Sequence, residues 1–228
     1  MRKSTRGKFI VIEGTDGSGK TTQFSLLQRR LKNEGTRLLI ADFPRYYESI
    51  WGKMVGEFLM GKYGKFNEVH PKLVVLPYMM DQYTWSRDVG KPWLKKGGII
   101  LSNRYFTSNV HQIAKLRTMA QKKYRDWLWP TGYDELRLLK PDLVIFIDVP
   151  PKIAKNLNRK KYIRGYLRGK KQDLAERNWE HQEAAYREYL YTVKHDKTWV
   201  GIKSITGRYI DTPIEIHERI WKEVSKIL

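Results

Sequence analysis

The sequence predicts one α/β domain in which a mainly parallel β-sheet is covered by helices on both faces. Short apolar runs alternate with longer amphipathic segments along the chain, and the runs at 9–12 and 143–147 are apolar at every position. Such runs are typical of parallel strands, which are buried on both faces. A length of 228 residues suits a single domain over 1–228 with a full core.

The order of the predicted elements supports this fold class. Strands are expected at 9–13, 37–41, 98–102, 143–148 and 199–204. Helical spacing of apolar residues predicts helices over 20–34, 49–60, 71–96, 107–129, 151–158 and 174–194. A last helix is expected to start at Thr212 and Pro213, since threonine is a good N-cap and proline fits the first turn. Strand and helix alternate, which indicates a parallel sheet.

The first strand leads into Gly14-x-x-x-x-Gly19-Lys20-Thr21, the pattern of a phosphate-binding loop. Its glycines allow backbone N–H groups and a helix N-terminus to approach a triphosphate. Lys20 then places its charge on the β- and γ-phosphates, and the Thr21 hydroxyl is suited to ligate Mg²⁺. We therefore expect ATP and Mg²⁺ to be bound by Gly14, Thr15, Asp16, Gly17, Ser18, Gly19, Lys20, Thr21 and Thr22.

Composition excludes several other functions. The chain has 44 Lys and Arg against 24 Asp and Glu, a net charge of +20, and no cysteine. Disulfides, thiolate nucleophiles and Cys-type zinc sites are therefore excluded. The basic residues are spread along the chain, which is more typical of a solvated surface than of a nucleic-acid track, so nucleic acid is not the expected partner.

Histidines and apolar segments add two further expectations. The five histidines lack metal-ligand spacing, so we expect surface or locally satisfied side chains at His70, His111, His181, His195 and His217. No apolar run approaches membrane-spanning length, and residues 1–8 are basic without the apolar stretch of a signal peptide. A soluble cytoplasmic protein is expected.

Aromatic and polar side chains follow the predicted strands at the edge where α/β proteins bind ligands. Phe43 and Arg45 follow the second strand, where they could hold a base and a phosphate, or could be a core and a surface residue. Arg104 follows the third strand with Ser108 and Asn109, a set that suits a phosphate-and-base pocket.

Two further segments leave alternatives open. Tyr78 and Gln82 are four residues apart and share one helix face, either as ligand contacts or as a core tyrosine beside a rim glutamine. Residues 159–173 combine glycines with many cations, which is the profile of a mobile lid over phosphate, although a surface loop of a basic protein would look similar.

Taken together, these motifs resemble the thymidylate kinase family of P-loop nucleoside monophosphate kinases over nearly the whole chain. The resemblance rests on the phosphate loop with Asp16 inside it, Phe43-Pro44-Arg45, Asp81-Gln82, Asn103-Arg104-Tyr105 with Ser108-Asn109, and the segment from Pro141-Asp142 to Pro151. It implies a P-loop three-layer sandwich with a five-stranded parallel sheet and a short lid. It also implies phosphorylation of dTMP to dTDP with ATP and Mg²⁺ for dTTP synthesis, in a homodimer.

The resemblance also implies roles for individual residues. Asp16 would lie near the sugar hydroxyl and the magnesium, and Arg45 and Arg104 would clamp the dTMP phosphate. The acceptor would be held by Phe43, Arg45, Tyr78, Gln82, Arg104, Tyr105, Ser108 and Asn109. The catalytic set would be Lys20, Asp16, Arg104 and the lid arginines Arg164 and Arg168, because Gly17 and Ser18 supply no arginine from the loop.

Three features depart from the family pattern. The first is a spacing, because the family's Phe-Pro-x-Arg is shortened here to Phe43-Pro44-Arg45, which would displace Arg45 by one residue. Asn103 stands where the family has aspartate, and Gln82 stands where it commonly has arginine. An amide can donate and accept, so we expect Gln82 to exclude cytosine less strictly than arginine would. The alternatives for the chain as a whole are another nucleoside or nucleotide kinase of this fold, or a basic P-loop ATPase that acts on nucleic acid.

Overall fold

A computed structural model describes residues 6–65, 68–157, 179–207 and 209–228. Its main sheet has the strands β1 (Phe9–Glu13), β2 (Leu38–Asp42), β3 (Ile99–Asn103), β4 (Leu143–Asp148) and β5 (Trp199–Lys203). All four pairings are parallel, in the order β2-β3-β1-β4-β5. The predicted five-stranded parallel sheet is therefore confirmed, and its strands end at one common edge.

Helices and one small ribbon surround this sheet. The helices are α1 (Lys20–Asn33), α2 (Ile50–Leu59), α3 (Pro71–Trp85), α4 (Lys91–Lys95), α5 (Val110–Ile113), α6 (Thr118–Pro130), α7 (Pro151–Leu157), α8 (Trp179–His195) and α9 (Pro213–Val224). The ribbon pairs β6 (Ile205–Thr206) with β7 (Tyr209–Ile210) antiparallel. The lid expected at 159–173 and its two arginines lie outside the described residues.

Alternation along the central strands builds a core on each face of the sheet. Phe9 and Val11 of β1 face a cluster that includes Val75 of α3, Leu128 of α6 and Tyr189 of α8. The intervening Ile10 and Ile12 face a second cluster, which contains Leu27 and Leu31 of α1 and Ile216 and Ile220 of α9. Each fully buried side chain of this size contributes about 1.5–3 kcal/mol. The three-layer arrangement predicted from the apolar runs is confirmed.

The single helix predicted over 71–96 is interrupted. α3 ends at Trp85, a π-helical turn covers Ser86–Gly90, and α4 follows. The N–H of Lys91 donates to Ser86 O, five residues earlier, and Pro92 has no N–H to continue the α-helical pattern. Proline at the start of α4 therefore accounts for the change of helix type.

The helix predicted over 107–129 is also divided. Residues Phe106–Asn109 form a 3₁₀ turn, α5 ends at Ile113, and α6 starts only at Thr118 after an extended Arg117. The Asn109 side chain donates to Phe106 O at 2.8 Å. Asparagine bonds of this kind compete with the regular helical pattern. The 3₁₀ turn places residues 106–109 beside the end of β3, next to the phosphate loop.

Two predicted helix starts are confirmed. Ser49 caps α2 by accepting from Gly52 N at 2.9 Å. Thr212 and Glu215 form a reciprocal capping box at the start of α9, where Pro213 occupies the first turn. Within the ranges that the structure describes, none of the helices is both long and apolar enough to cross a membrane.

Candidate active site

The phosphate-binding loop joins β1 to α1. Gly19 is the N-cap of α1 with a φ of 88°, a left-handed conformation that glycine adopts without strain. At Gly14 a Cβ atom would lie 2.6 Å from Ser18 Oγ, so the loop needs glycine there as well. No side chain caps α1, and its first N–H groups therefore point into the loop as donors for an anion.

Lys20 is folded into this loop. Its Nζ donates to Gly14 O at 2.8 Å and to Thr15 O at 2.7 Å, and the residue is buried. The ammonium group therefore lies against the backbone of the loop, while Thr21 and Thr22 at the start of α1 are exposed. This arrangement concentrates positive charge where a triphosphate would approach.

Arg104, at the end of β3, connects the loop to its surroundings. Its guanidinium donates to Asp16 Oδ1 at 2.9 Å and to Ser108 Oγ at 3.3 Å, and it lies 3.6 Å from Glu13 Oε2. Burial opposes the charge of Arg104, but Asp16, Tyr189 and Glu13 together raise the pKa of its guanidinium. The backbone has a φ of 62°, which costs a non-glycine residue about 1–3 kcal/mol. Strain of this kind is common at functional sites.

Glu13 is a functional residue that was not identified from the sequence. It is fully buried at the end of β1 and accepts hydrogen bonds from Thr107 Oγ1 at 2.6 Å, Ser108 Oγ at 2.7 Å and Tyr189 OH at 2.8 Å. These contacts orient the 106–109 turn and Arg104. An acid at the end of an otherwise apolar strand was the signal in the sequence.

An acceptor pocket lies next to the loop as a cleft that is partly open to solvent. Most of the predicted substrate residues line it, namely Phe43, Tyr78, Gln82, Arg104, Tyr105, Ser108 and Asn109. Asp16 of the phosphate loop lines it too. Aromatic walls with a few polar groups are typical of a site for a planar, charged small molecule.

Arg45 is not among the residues that line the pocket, although its predicted role as a phosphate clamp would place it there. Its Nε donates to Asp81 Oδ1 at 2.9 Å, and its terminal nitrogen donates to Asp81 O at 2.9 Å and Thr84 Oγ1 at 3.0 Å. Asp81 is fully buried, and Arg45 supplies the cation that it needs. The phosphate-clamp role of Arg45 stays a prediction, and the observed ion pair does not support it.

For two histidines the structure contradicts the surface placement, which was one of the two placements expected from the sequence. His111 and His181 both line the acceptor pocket, with ring centroids 5.5 Å apart, instead of lying on the surface. Burial lowers the pKa of His181 to about 4, and burial with nearby Arg104 and His181 lowers that of His111 well below its usual value. Both rings are therefore neutral near pH 7. Neither position has a local sequence pattern that would have indicated this placement.

The groups that could bind magnesium are few. The described residues contain no cluster of three or more His, Asp or Glu side chains with the geometry of a metal site. Asp16 is also bonded by Gln182 Nε2 at 3.3 Å, and Asn103 Nδ2 donates to Asp42 Oδ1 at 2.8 Å. Asp16 is a carboxylate of the phosphate loop, and one or two carboxylates together with phosphate oxygens commonly bind Mg²⁺ in proteins.

The phosphate loop and the aromatic pocket share Asp16, so a phosphoryl donor and a planar acceptor can be held side by side. On this fold, that arrangement defines a nucleoside monophosphate kinase of the P-loop class. The sequence profile of the family described as Thymidylate kinase matches residues 12–209. The chain belongs to the thymidylate kinase family and is a phosphotransferase.

Individual relatives agree with this assignment. The chain is 29% identical to the thymidylate kinase of Plasmodium falciparum, over 97% of this chain and 91% of that protein. It is 30% identical to the thymidylate kinase of Caldanaerobacter subterraneus subsp. tengcongensis, over 83% of each. A solved structure of the thymidylate kinase of Candida albicans superposes with a TM-score of 0.70 at 20% identity, covering 97% of this chain and 92% of that one. The structural likeness concerns the fold.

Proposed function

We propose that the chain transfers the γ-phosphoryl group of ATP to dTMP, giving dTDP and ADP, as a step of dTTP synthesis. The observation that carries this proposal is the contact between Arg104 and Asp16 at 2.9 Å. This contact connects a residue of the acceptor pocket to a residue of the phosphate loop. An acceptor phosphate near Arg104 would therefore lie close to a triphosphate in the loop.

On the donor side, residues 14–22 would bind the triphosphate of ATP. The Lys20 ammonium group donates to the carbonyl oxygens of Gly14 and Thr15 in this structure. When ATP binds, it would exchange these two neutral acceptors for the negatively charged phosphate oxygens. The first turn of α1 adds N–H donors and the positive end of the helix dipole.

On the acceptor side, Arg104 would hold the dTMP phosphate, since a guanidinium matches phosphate oxygens with two parallel donors. The ring would lie among Phe43, Tyr78 and Tyr105, which line the pocket. Ser108 and Asn109 would contact polar atoms of the nucleoside. The acceptor phosphate is already an anion, so transfer needs no general base.

Magnesium would be held by Thr21 and Asp16 together with the nucleotide phosphates. The exposed Thr21 side chain and the partly buried Asp16 carboxylate are oxygen donors of the type this ion prefers. When bound, the ion would neutralise charge that develops on the transferred group. Arg164 and Arg168 remain candidates for a lid arginine with the same task. Homodimer formation and a cytoplasmic location also stay predictions.

A panel of nucleoside monophosphates with ATP and Mg²⁺, followed by ADP release and product analysis, tests the proposal. We expect dTDP as the main product. If another monophosphate were phosphorylated far better and dTMP hardly at all, a different kinase of this fold would be indicated. ATP hydrolysis that requires added DNA and weakens with salt would instead favour the nucleic-acid ATPase.

A further inference from the structure

The five parallel strands all begin at the edge of the sheet opposite the active site, and at least one cation precedes each of them. Because the strands are parallel, the segments that lead into them lie side by side along that edge. In the five residues before each strand, the described positions hold eight Lys and Arg against three Asp and Glu. The cations, called the cationic row below, are Arg37 before β2, Lys95 and Lys96 before β3, Arg6 and Lys8 before β1, Lys140 before β4, and Lys194 and Lys197 before β5.

Backbone hydrogen bonds join these segments across the whole width of the sheet. In each of the four strand pairs, an N–H group at or next to the start of one strand donates to a carbonyl at or next to the start of its neighbour. The four bonds, each 2.8 Å long, are Ile99 N to Arg37 O, Ile100 N to Lys8 O, Asp142 N to Phe9 O, and Val144 N to Thr198 O. Neighbouring strands lie about 4.8 Å apart, so the cationic row extends over about 19 Å.

The three acids in these segments do not cancel the charge of the row. Asp142 accepts from Phe9 N at 2.8 Å and lies 3.7 Å from Arg6, and Asp196 accepts from the N–H of Thr198 at 2.8 Å. The third acid, Glu34, is exposed. Within the part of the chain that the structure describes, Arg6 is the only cation of the row with a carboxylate within 4.0 Å. All cations of the row except the half-buried Lys8 are exposed, so their charge is available to a ligand.

The chemistry of the row fits the phosphate backbone of a duplex. Double-stranded DNA carries about one negative charge per 1.7 Å of its axis, and Lys and Arg bind it with release of counterions. As far as they are described, the five segments expose no large apolar side chain, which attachment to a lipid surface requires. The Trp93 and Tyr133 rings beside the row are partly buried and lie against Arg37 and Lys140, so they offer no open platform to the unstacked bases of a single strand.

We propose that the cationic row binds the phosphate backbone of double-stranded DNA, without base specificity and apart from the active site. Strand β1 has five residues and is therefore about 16 Å long, with the row before it and the phosphate loop after it. A duplex on the row thus leaves both nucleotide sites accessible. The proposal revises the expectation that nucleic acid is not a partner. The cations are far apart in the sequence, and only the parallel sheet brings them together.

The first test is the fluorescence anisotropy of a labelled DNA duplex of about 20 base pairs, titrated with the full chain. Contact with about four to six phosphates should give a slope of about −4 to −5 for the logarithm of the binding constant against the logarithm of the salt concentration. Duplexes of unrelated sequence should bind equally well, and saturating ATP with dTMP should not displace them. No binding of DNA, binding only to vesicles of anionic lipid, or displacement by ATP would each overturn the proposal.

The second test locates the binding surface. The double variant Lys95→Glu with Lys96→Glu reverses two exposed charges in the row, and Lys122→Glu with Lys123→Glu makes the same change in net charge on the exposed face of α6. We expect the row variant to bind the duplex at least about tenfold more weakly, with a slope about 2 smaller in magnitude, and the α6 variant to bind within about twofold of the unmodified chain. Thermal unfolding checks that both variants fold. Equal weakening in both would show that only the net charge matters and would overturn the proposal.

Discussion

The guanidinium of Arg104 donates to the carboxylate of Asp16 across 2.9 Å, and thereby fixes a residue at the end of β3 to the phosphate-binding loop. Glu13, one residue before the loop, lies 3.6 Å from the same guanidinium. The carboxylates of Asp16 and Glu13 thus stabilise the charge of Arg104 and hold its guanidinium between the phosphate loop and the acceptor pocket. The position of this one cation is the basis of the proposed phosphoryl transfer.

Arg104→Lys should lower kcat/KM for dTMP by about 10²-fold, because an ammonium group cannot bond a phosphate and Asp16 with the same fork. Steady-state kinetics with dTMP varied at saturating ATP measure the effect. Arg87→Lys, at an exposed position in the turn after α3, is the control. Equal kinetics for Arg104→Lys and the unmodified chain would show that Arg104 does not bind the acceptor phosphate.

Lys20→Ala should abolish most of the activity while the fold remains. Removing one preorganised charge of this kind typically lowers kcat by about 10²-fold or more. Thermal unfolding provides the control for folding, and kcat with saturating ATP provides the measurement. Activity near that of the unmodified chain would contradict the assignment of residues 14–22 as the ATP site.

Glu13→Gln should reduce stability as well as activity. Glu13 accepts from three hydroxyl groups, and an amide offers only one oxygen and turns an NH₂ group toward former donors. The expected loss in the free energy of unfolding is about 1–3 kcal/mol. Glu68→Gln is the control, since the pair of Glu68 with Lys65 is solvent-exposed and is worth less than about 1 kcal/mol. Urea unfolding of both variants compares them, and equal losses would contradict the role of Glu13.

The sequence predicted the sheet and the phosphate loop well because both depend on local patterns. Apolar strands 9–13 and 143–148 and the Gly14 to Thr21 spacing leave few structural alternatives. The interruption of the first long helix at Ser86–Gly90 was missed because apolar spacing continues through it, and its cause is the missing N–H of Pro92. The 3₁₀ turn at Phe106–Asn109 was missed because it depends on the bond from the Asn109 side chain to Phe106 O. The gap between α5 and α6 was missed as well.

The pocket residues were predicted only in part. Tyr78, Gln82 and Asn109 were placed correctly beside the pocket by helix spacing and by family resemblance. His111 and His181 come from elements 70 positions apart in the chain, and only tertiary packing brings their rings together. Arg45 was assigned to a phosphate, but the buried Asp81 competes for it at 2.9 Å.

Arg45→Met should therefore affect stability more than substrate binding. Removal of the cation leaves Asp81 as an uncompensated buried charge, which typically costs about 3–5 kcal/mol. The double variant Arg45→Met with Asp81→Asn should recover part of the loss, and a double-mutant cycle in urea unfolding measures the coupling. A stable Arg45→Met protein whose KM for dTMP rises tenfold or more would restore the clamp implied by the resemblance.

The two pocket histidines should make the fold acid-sensitive. Burial lowers the pKa of His181 to about 4, and burial together with nearby Arg104 and His181 lowers the pKa of His111 well below its usual value. In the unfolded chain both titrate near pH 6.5, so between that pH and about pH 4 the unfolded state binds more protons. Above about pH 6.5 both histidines are neutral in the folded and in the unfolded chain, so they do not make stability depend on pH there. Below that pH they are protonated in the unfolded chain first, so the free energy of unfolding falls as the pH is lowered.

The slope of this loss is at most about 1.4 kcal/mol per pH unit for each histidine. Urea unfolding at about pH 7.5 and pH 5.5 measures the change in the free energy of unfolding. His181→Gln should reduce the difference between the two pH values, whereas His195→Gln, at an exposed position on the same helix, should not. An identical pH dependence in all three proteins would contradict neutral burial of His181.

We propose that the phosphate loop and the aromatic pocket form one active site for two nucleotides. The most direct test is the binding of a bisubstrate compound in which thymidine and adenosine are joined through a polyphosphate. We predict that it competes with both ATP and dTMP, and that Lys20→Ala and Arg104→Lys each weaken its binding. Competition with only one of the two nucleotides, or binding that neither substitution affects, would show that the loop and the pocket do not form one site for both nucleotides.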